Sequence, residues 1–401
     1  MELWKKNLLV SWFCVFVISS GGSQIAPLLP LYIEHLGVTN VVEIEQWSGL
    51  AFGINFVMLA IFSPIWGKFA DKYGRKSMLL RASLWLTIIM TSMGFAQNIY
   101  QFILLRMLQG ALSGFIAAAI TLVATQTPVA RVGWALGMIS TASVGGTLLG
   151  PLFGGYLAET LGLRSAFISI GVLDFIAFVA TYLFIKEKVT ASEKQTLNFK
   201  QVWKIIPNHK FFLALCLTTF FMQFALMSLE PIVTVYITQL SQSSAHIALI
   251  SGAVFAAAGF ASILVAPQLG RLSDKIGPQK VMLAALIVAG ISFIPQAFVR
   301  TAWQLGMLRF VLGLATAGLL PSINTLVKRS IPDFVAGRAY GFTQSAQYLG
   351  AFGGSIIGGQ VAGLFGIRCV FYMTGLLLLA NALLVYKTVY IGAGILNKRF
   401  N

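Results

Sequence analysis

The sequence predicts an all-α membrane protein whose twelve transmembrane helices form two pseudo-symmetric six-helix bundles. Three observations support this fold class. Charged residues make up only 10% of the 401 residues and hydrophobic ones 57%, whereas a soluble domain carries about 25% charged residues. Twelve apolar segments are long enough to cross the ~30 Å hydrocarbon core of a bilayer. The second half of the chain also repeats the first, about 204 residues on.

The composition excludes several classes of protein. A soluble globule has too little interior to bury this much apolar surface, so an ordinary soluble enzyme or a disordered chain is not expected. The net charge of +16 occurs in nucleic-acid-binding proteins, but the scarcity of charge argues against a nucleic-acid partner. Neither metal-ligand nor nucleophile–base spacing is present, so we expect no metal site, no cofactor and no catalytic residue.

The apolar segments, numbered here as spans 1 to 12, predict helices because backbone groups in lipid must bond within their own segment. They cover residues 8–33, 47–66, 77–96, 99–123, 133–158, 164–185, 210–237, 246–269, 281–299, 302–327, 339–362 and 368–390. We therefore expect an N-terminal bundle (1–185), a cytoplasmic linker with a short amphipathic helix (186–209) and a C-terminal bundle (210–401).

The distribution of basic residues predicts the orientation. If the N-terminus lies in the cytoplasm, most of the 28 Lys and Arg residues fall in inner loops, and only Arg164, Arg300 and Arg368 fall in outer loops. Both termini are therefore expected in the cytoplasm.

Three motifs carry a family resemblance. The first is the loop Gly67-Lys-Phe-Ala-Asp-Lys-Tyr-Gly-Arg-Lys76, whose second copy at 270–280 has Pro278 where Arg is expected. The second is Arg106-Met-Leu-Gln-Gly110, and the third is Gly146-Thr-Leu-Leu-Gly-Pro-Leu-Phe-Gly-Gly155. On these motifs the whole chain resembles the major facilitator superfamily, and within it the twelve-helix drug:proton antiporters of bacterial cell membranes, including exporters of fluoroquinolones and dyes. The resemblance implies the major facilitator fold, alternating access between two parallel repeats, and transport driven by the proton gradient.

The first and third motifs are candidates for gating and for helix packing. Carboxylates favour helix N-termini, so the two-fold repeat predicts that Asp71 approaches the start of span 11 and Asp274 the start of span 5. The expected gating residues are Asp71, Arg75, Lys76, Asp274 and Arg338; the alternative is a solvated basic loop. The antiporter-motif residues Gly146, Gly150, Pro151, Gly154 and Gly155 are expected to let span 5 bend and approach a neighbour, and by resemblance to suppress inward leak, or to serve packing alone.

Arg81 lies near the start of span 3, and four ionisable residues lie well inside the spans: Arg106, Asp174, Glu230 and Arg309. A charge near the middle of a bilayer costs ~2.5 kcal/mol or more, so it is expected to face a cavity or a partner. We expect Glu230, Asp174 and Arg106 to couple transport to protons. The alternatives are a backbone clamp on span 1 or 7 for Arg106, an ion pair with an arginine for Glu230, and a scaffold position for Asp174.

Side chains on one face of span 7 suit a lipophilic, cationic guest, because they combine an acid, an amide, a thioether and an aromatic ring. The expected substrate-cavity residues are Gln24, Asn55, Phe220, Gln223, Met227, Glu230, Arg309, Gln344 and Tyr348. For the weaker candidates, interhelical hydrogen bonds are the alternative.

The sequence thus predicts a monomeric transporter that exchanges protons for lipophilic, cationic or zwitterionic drugs. Its partners are small molecules, protons and membrane lipids. A first alternative is a proton-coupled exporter of an endogenous solute, a sugar or a flipped lipid. A second, a membrane-embedded enzyme or a sensor, lacks the catalytic polar cluster or added domain that it needs.

Overall fold

The computed structural model describes residues 2–128, 131–187, 203, 205–241, 246–331 and 333–390, and only the backbone of Asp71, Pro267, Asp274 and residues 333–338. These residues form long apolar helices, which confirms the predicted all-α membrane fold. The helices are Leu3–Ser23 and Ile25–His35 (span 1), Val41–Tyr73 (span 2), Arg75–Gly94 (span 3), Ile99–Leu112 and Phe115–Gln126 (span 4), Val132–Leu161 (span 5), Leu163–Phe184 (span 6), His209–Leu229 and Val233–Leu240 (span 7), Ile247–Ile276 (span 8), Pro278–Gln296 (span 9), Ala302–Thr316 and Leu319–Ser330 (span 10), Asp333–Phe365 (span 11) and Ile367–Val385 (span 12). Most of the predicted linker, residues 188–202 and 204, lies outside the described residues.

Four spans are each interrupted, and they form two pairs of repeat mates: spans 1 and 7, and spans 4 and 10. The two helices of span 1 meet at Gln24 with a bend of 43°, and span 7 is interrupted at Glu230–Ile232. Proline has no backbone N–H to donate to the preceding turn, so Pro27 and Pro231 weaken the helix at these two points. The sequence analysis did not predict these breaks.

The chain divides into two compact units. Unit 1 comprises Met1–Glu193 together with Val233–Ala256, and unit 2 comprises Lys194–Ile232 together with Ala257–Asn401. In unit 1, span 1 packs on span 5, span 2 on span 4 and span 3 on span 6; in unit 2, span 7 packs on span 11 and span 9 on span 12. The part of spans 7 and 8 within Val233–Ala256 therefore belongs to the unit formed mainly by the first repeat.

Buried aromatic and polar contacts fix spans within each unit. In unit 1, the fully buried ring of Tyr32 lies 5.2 Å from that of Phe102 and 4.6 Å from that of Phe167, and its hydroxyl donates to Met93 O. In unit 2, Asn381 Nδ2 donates to Thr218 O at 3.2 Å, which joins span 12 to span 7.

Candidate functional site

The glycines of the span 5 motif lie directly against the backbone of span 1. A Cβ atom added at Gly146 would lie 2.4 Å from Phe16 O, and one added at Gly150 would lie 2.3 Å from Ser20 O. Real Cβ atoms essentially never approach other atoms this closely. Glycine therefore allows the two helices to cross with backbone touching backbone, the arrangement typical of small-residue interfaces in membranes.

Gln24 belongs to the same helix crossing. It lies at the bend of span 1, is 3% exposed, and has no hydrogen-bond partner for its Oε1 atom among the described residues. A Cβ atom at Gly154 would lie 2.6 Å from that oxygen. The structure thus places this predicted cavity residue in the contact between spans 1 and 5, with an unused acceptor.

The motif has a second close contact, with span 8. A Cβ atom at Gly155 would lie 2.5 Å from Ala248 O, and one at Gly252 would lie 2.3 Å from Pro151 O. Span 5 runs as one helix from Val132 to Leu161 through Pro151. The motif therefore brings span 5 close to one helix on each of two faces.

Unit 2 repeats the first of these contacts but not the proline. Cβ atoms at Gly350, Gly354 and Gly358 would lie 2.3, 2.2 and 2.0 Å from backbone oxygens of Phe220, Phe224 and Ser228 on span 7. Ser355 stands in place of Pro151, and its buried hydroxyl donates to Ala351 O at 2.7 Å. Close glycine packing is common to both units, whereas the proline is specific to span 5.

Arg106 is bonded to neutral groups inside unit 1. It is 2% exposed, its Nε donates to Ala51 O of span 2 at 2.8 Å, and its Nη1 donates to Gln109 Oε1. The guanidinium carbon lies 5.8 Å from the centre of the Phe52 ring. Among the described residues, Arg106 has no ion pair, so it is a buried cation stabilised by dipoles and an aromatic ring.

Asn55 lies on span 2 one helical turn after Ala51, the residue whose carbonyl binds Arg106. A Cβ atom at Gly110 would lie 2.2 Å from Asn55 O, so spans 2 and 4 also cross at a glycine. The Oδ1 atom of Asn55 is buried without a hydrogen-bond partner among the described residues.

Asp174 is a buried acid on span 6 of unit 1. It is 2% exposed, and its Oδ1 atom has no hydrogen-bond partner among the described residues. This oxygen would lie 4.0 Å from a Cβ atom at Gly21, so the carboxyl faces span 1. An unpaired carboxylate at such a position is costly in its charged form.

Glu230 and Arg309 come together in unit 2. Glu230 occupies the break of span 7 and is partly exposed, and it interacts electrostatically with Arg309 of span 10. Arg309 is 7% exposed, and its Nε and Nη2 atoms have no hydrogen-bond partner among the described residues. Glu230 therefore offsets the charge of a buried guanidinium at a distance, and the two side chains form no direct ion pair among the described residues.

The other predicted cavity residues of unit 2 follow the same helices. Phe220, Gln223 and Met227 of span 7 are each half-buried, and the Phe220 ring lies 5.4 Å from that of Phe221. On span 11, Gln344 is exposed and bonds to the half-buried Tyr348 one turn later.

The predicted gating residues are described only in part. The side chains of Asp71, Asp274 and Arg338 lie outside the described residues. The backbone N–H groups of Arg75 and Lys76, at the start of span 3, donate to the Glu187 carboxylate at 2.9 and 2.7 Å. Lys76 Nζ also donates to Tyr182 O at 3.0 Å, so this end of span 3 is held by the end of span 6.

Sequence reasoning missed three charged residues. The predicted linker contains Glu187, and the predicted site does not contain Arg81. Glu45, which is 3% exposed, was placed before span 2. The side chain of Asn40 accepts from Val42 N at 2.9 Å and caps the helix, so the capping preference of Asn was the available signal that span 2 begins early enough to include Glu45. Among the described residues, no three His, Cys, Asp or Glu side chains form a possible metal site.

The chain matches one family model and is similar to curated multidrug resistance proteins. Residues 11–267 and 215–393 match the model of the Major Facilitator Superfamily. The Multidrug resistance protein MdtG of Enterobacter lignolyticus (strain SCF1) is 44% identical over 380 residues, which cover 94% of this chain and 91% of that protein. The protein of the same name from Salmonella schwarzengrund (strain CVM19633) is 43% identical over 387 residues, covering 96% of each.

Solved structures share the fold. A bacterial homolog of the human lysosomal transporter Spinster, in an inward-facing and unoccupied conformation, has a TM-score of 0.80 at 14% identity and covers 97% of both chains. A mutant of the nucleoside transporter NupG has a TM-score of 0.76 at 13% identity, covering 97% of this chain and all of that one.

Proposed function

We propose, from the premise that this chain belongs to the Major Facilitator Superfamily and is therefore a transporter and not an enzyme, that it exports lipophilic, cationic or zwitterionic drugs in exchange for protons. The printed names of its relatives support drug export. The proposal includes a place in the bacterial cytoplasmic membrane with both termini inside, action as a monomer, and no cofactor.

The observation that carries the proton exchange is the electrostatic interaction of Glu230 with the buried Arg309, which acts without a direct ion pair between these two described side chains. One carboxylate can neutralise a buried guanidinium, bind a cationic guest or accept a proton, but it cannot do all three at once. Protonation of Glu230 therefore competes with cation binding, and the break of span 7 leaves the acid partly exposed. A drug that leaves Glu230 would be replaced by a proton.

Asp174 is the second candidate acid for this exchange. Its buried, unpaired oxygen faces span 1, whose bend lies a few residues from Gly21. Uptake of a proton would remove the cost of a bare carboxylate beside that helix. Asp174 is therefore proposed as a secondary proton site, and Arg106 as a fixed cation that joins span 4 to span 2.

The test is drug transport by purified protein in proteoliposomes with an imposed pH gradient. Dye efflux should be driven by the gradient in the wild type and abolished by a protonophore. Glu230→Gln should lose gradient-driven transport by roughly 100-fold, because removal of an essential proton carrier abolishes coupling rather than weakening it. Glu43→Gln, an exposed acid of span 2, is the matched control and should transport normally.

Several results would count against the proposal. Unchanged gradient-driven efflux in Glu230→Gln would exclude Glu230 as the proton carrier. Gradient-driven transport of a sugar, or flipping of a labelled lipid, with no dye efflux would favour an endogenous solute. Asp174→Asn should reduce coupling less than Glu230→Gln, and the reverse order would make Asp174 the principal acid.

A further inference from the structure

The structure contains a cavity in unit 1 that the transport proposal does not use. It measures about 270 Å³ and lies among spans 2, 3 and 4, beside the Gly67–Lys76 motif, which is the end of span 2, Gly74 and the start of span 3 rather than an extended loop. Its lining includes Ser63, Trp66, Arg75, Arg81 and Thr121. The position of Arg81 requires an explanation, because a cation inside a membrane span normally has a partner.

Arg81 is bonded on one edge only. Its Nη2 donates to Ser113 O at 2.9 Å, and its guanidinium carbon lies 3.5 Å from the centre of the Trp66 ring. The Nε and Nη1 atoms are buried without a hydrogen-bond partner, and no acid among the described residues forms an ion pair with Arg81. The charge and two donor atoms of a planar fork are therefore available to an anion.

Trp66 holds this guanidinium in place. Its Nε1 donates to Ala111 O at 2.6 Å, which fixes the indole ring against span 4. The ring then covers one face of the Arg81 guanidinium and leaves its donor edge free. A guanidinium that is oriented before binding loses little conformational entropy when an anion arrives.

The internal repeat has neither side chain in its second copy. At the repeat offset that pairs Gly110 with Gly313, Trp66 corresponds to Leu269 and Arg81 to Ala284. In unit 2, Leu269 packs 3.2 Å from a Cβ position on Gly318, where the contact is apolar. The cation and its indole support are thus specific to unit 1.

The position of the cavity suits a lipid headgroup. Arg81 lies six residues after the first residue of span 3, about 9 Å along the helix axis, and helical side chains lean toward the helix N-terminus. Lys68 and Lys72 lie close to that terminus in sequence, in the last turns of span 2, and the proposed orientation assigns them to the inner membrane surface. Next to Trp66, Phe69 is 41% exposed and offers an apolar surface for an acyl chain.

We propose that this cavity binds the phosphate group of an inner-leaflet phospholipid, with the Arg81 guanidinium as its principal ligand. The shared chemistry is that of a phosphate oxyanion, so a free phosphate is the second possible source. Phospholipid is the favoured source because the cavity lies beside the basic helix ends of the Gly67–Lys76 motif and the exposed apolar ring of Phe69.

Native mass spectrometry of the full-length, delipidated protein tests the proposal. Dioleoyl-phosphatidylglycerol should bind the wild type, whereas dioleoylglycerol, which lacks the phosphate, should not. Arg81→Gln should weaken phosphatidylglycerol binding by about tenfold, the loss expected for a charge-assisted hydrogen bond, and Arg81→Lys by less. Arg131→Gln, which removes an exposed charge from unit 1 outside the cavity, is the matched control and should bind as the wild type does.

A second variant, Ala117→Leu, tests the proposal even if Arg81→Gln fails to fold. Ala117→Leu fills the cavity and keeps the guanidinium, and it should weaken binding as Arg81→Gln does. Inorganic phosphate forms a separate arm: if it raises the thermal stability of the wild type but not of Arg81→Gln, while phosphatidylglycerol has no effect, the anion site stands with a soluble source. Equal binding of phosphatidylglycerol and dioleoylglycerol, or equal binding by wild type and both cavity variants, would overturn the proposal.

Discussion

The substitution Gly150→Ala tests the close packing of spans 1 and 5. The added Cβ atom would lie 2.3 Å from Ser20 O, about 1 Å less than the 3.4 Å at which ordinary contacts begin. Because Ser20 O belongs to the backbone, a side-chain rotation cannot relieve the clash, and one helix has to move.

The expected change in the free energy of unfolding of Gly150→Ala follows from two opposing effects. Overpacking of a tight interface typically costs about 1–3 kcal/mol, while replacing Gly by Ala within a helix stabilises it by up to about 1 kcal/mol. Gly137, on the same helix, has nothing within 4 Å of its Cβ position. Gly137→Ala therefore isolates the helix-propensity gain, and Gly150→Ala should be less stable than it by about 1–3 kcal/mol.

The assay is unfolding of the purified protein in detergent, followed by tryptophan fluorescence during titration with a denaturing detergent. The expected order of stability is Gly137→Ala at or above the wild type, and Gly150→Ala below it. In unit 2, Gly354→Ala should behave like Gly150→Ala, because its Cβ would lie 2.2 Å from Phe224 O. If Gly150→Ala were as stable as Gly137→Ala, the backbone contact between spans 1 and 5 would be refuted.

Two further substitutions test charged contacts within the units. Glu187→Ala removes the acceptor for the first two N–H groups of span 3 and should destabilise the protein by about 1–2 kcal/mol, against ~0.5 kcal/mol or less for the exposed Glu43→Ala; equal effects in denaturant titrations would contradict the cap. Leu312→Gln, added to Glu230→Gln, places an amide three residues after Arg309, as Gln109 stands three residues after Arg106 and accepts its hydrogen bond. It should restore stability lost in the single variant but not gradient-driven efflux, and recovered efflux would rule out Glu230 as the proton carrier.

Helix packing was the part of the structure that the sequence predicted best. Gly146, Gly150 and Gly154 recur as glycines in the second half. All of them meet a neighbouring backbone except Gly154, which meets the side chain of Gln24. Such contacts can be predicted because a glycine repeated at helical spacing inside an apolar span has few other uses. The partners of Arg106 and Glu187 could not be predicted in this way, since they include a backbone carbonyl and a helix end distant in sequence.

Arg106 illustrates this limit. Its burial followed from its place inside an apolar span, but the acceptor, Ala51 O, is a backbone atom that carries no sequence signal. Glu187 had no signal either, because its partners are the N–H groups of Arg75 and Lys76. The breaks of spans 4 and 10 were missed because the hydropathy of each span is continuous across them.

The two repeats stabilise equivalent arginines by different means, and this difference bears on which unit responds to a proton in the proposed exchange. Arg106 is held by a carbonyl and by Gln109, neither of which titrates, so its surroundings stay the same when protons are gained or lost. Arg309, its repeat mate, has Leu312 where Gln109 would stand, and it interacts instead with an acid on another span. If Glu230 carries the proton as proposed, its protonation removes the charge that offsets Arg309, and the free energy of unit 2 rises. A proton can therefore change the energy of unit 2 through Arg309, while Arg106 gives unit 1 no equivalent response.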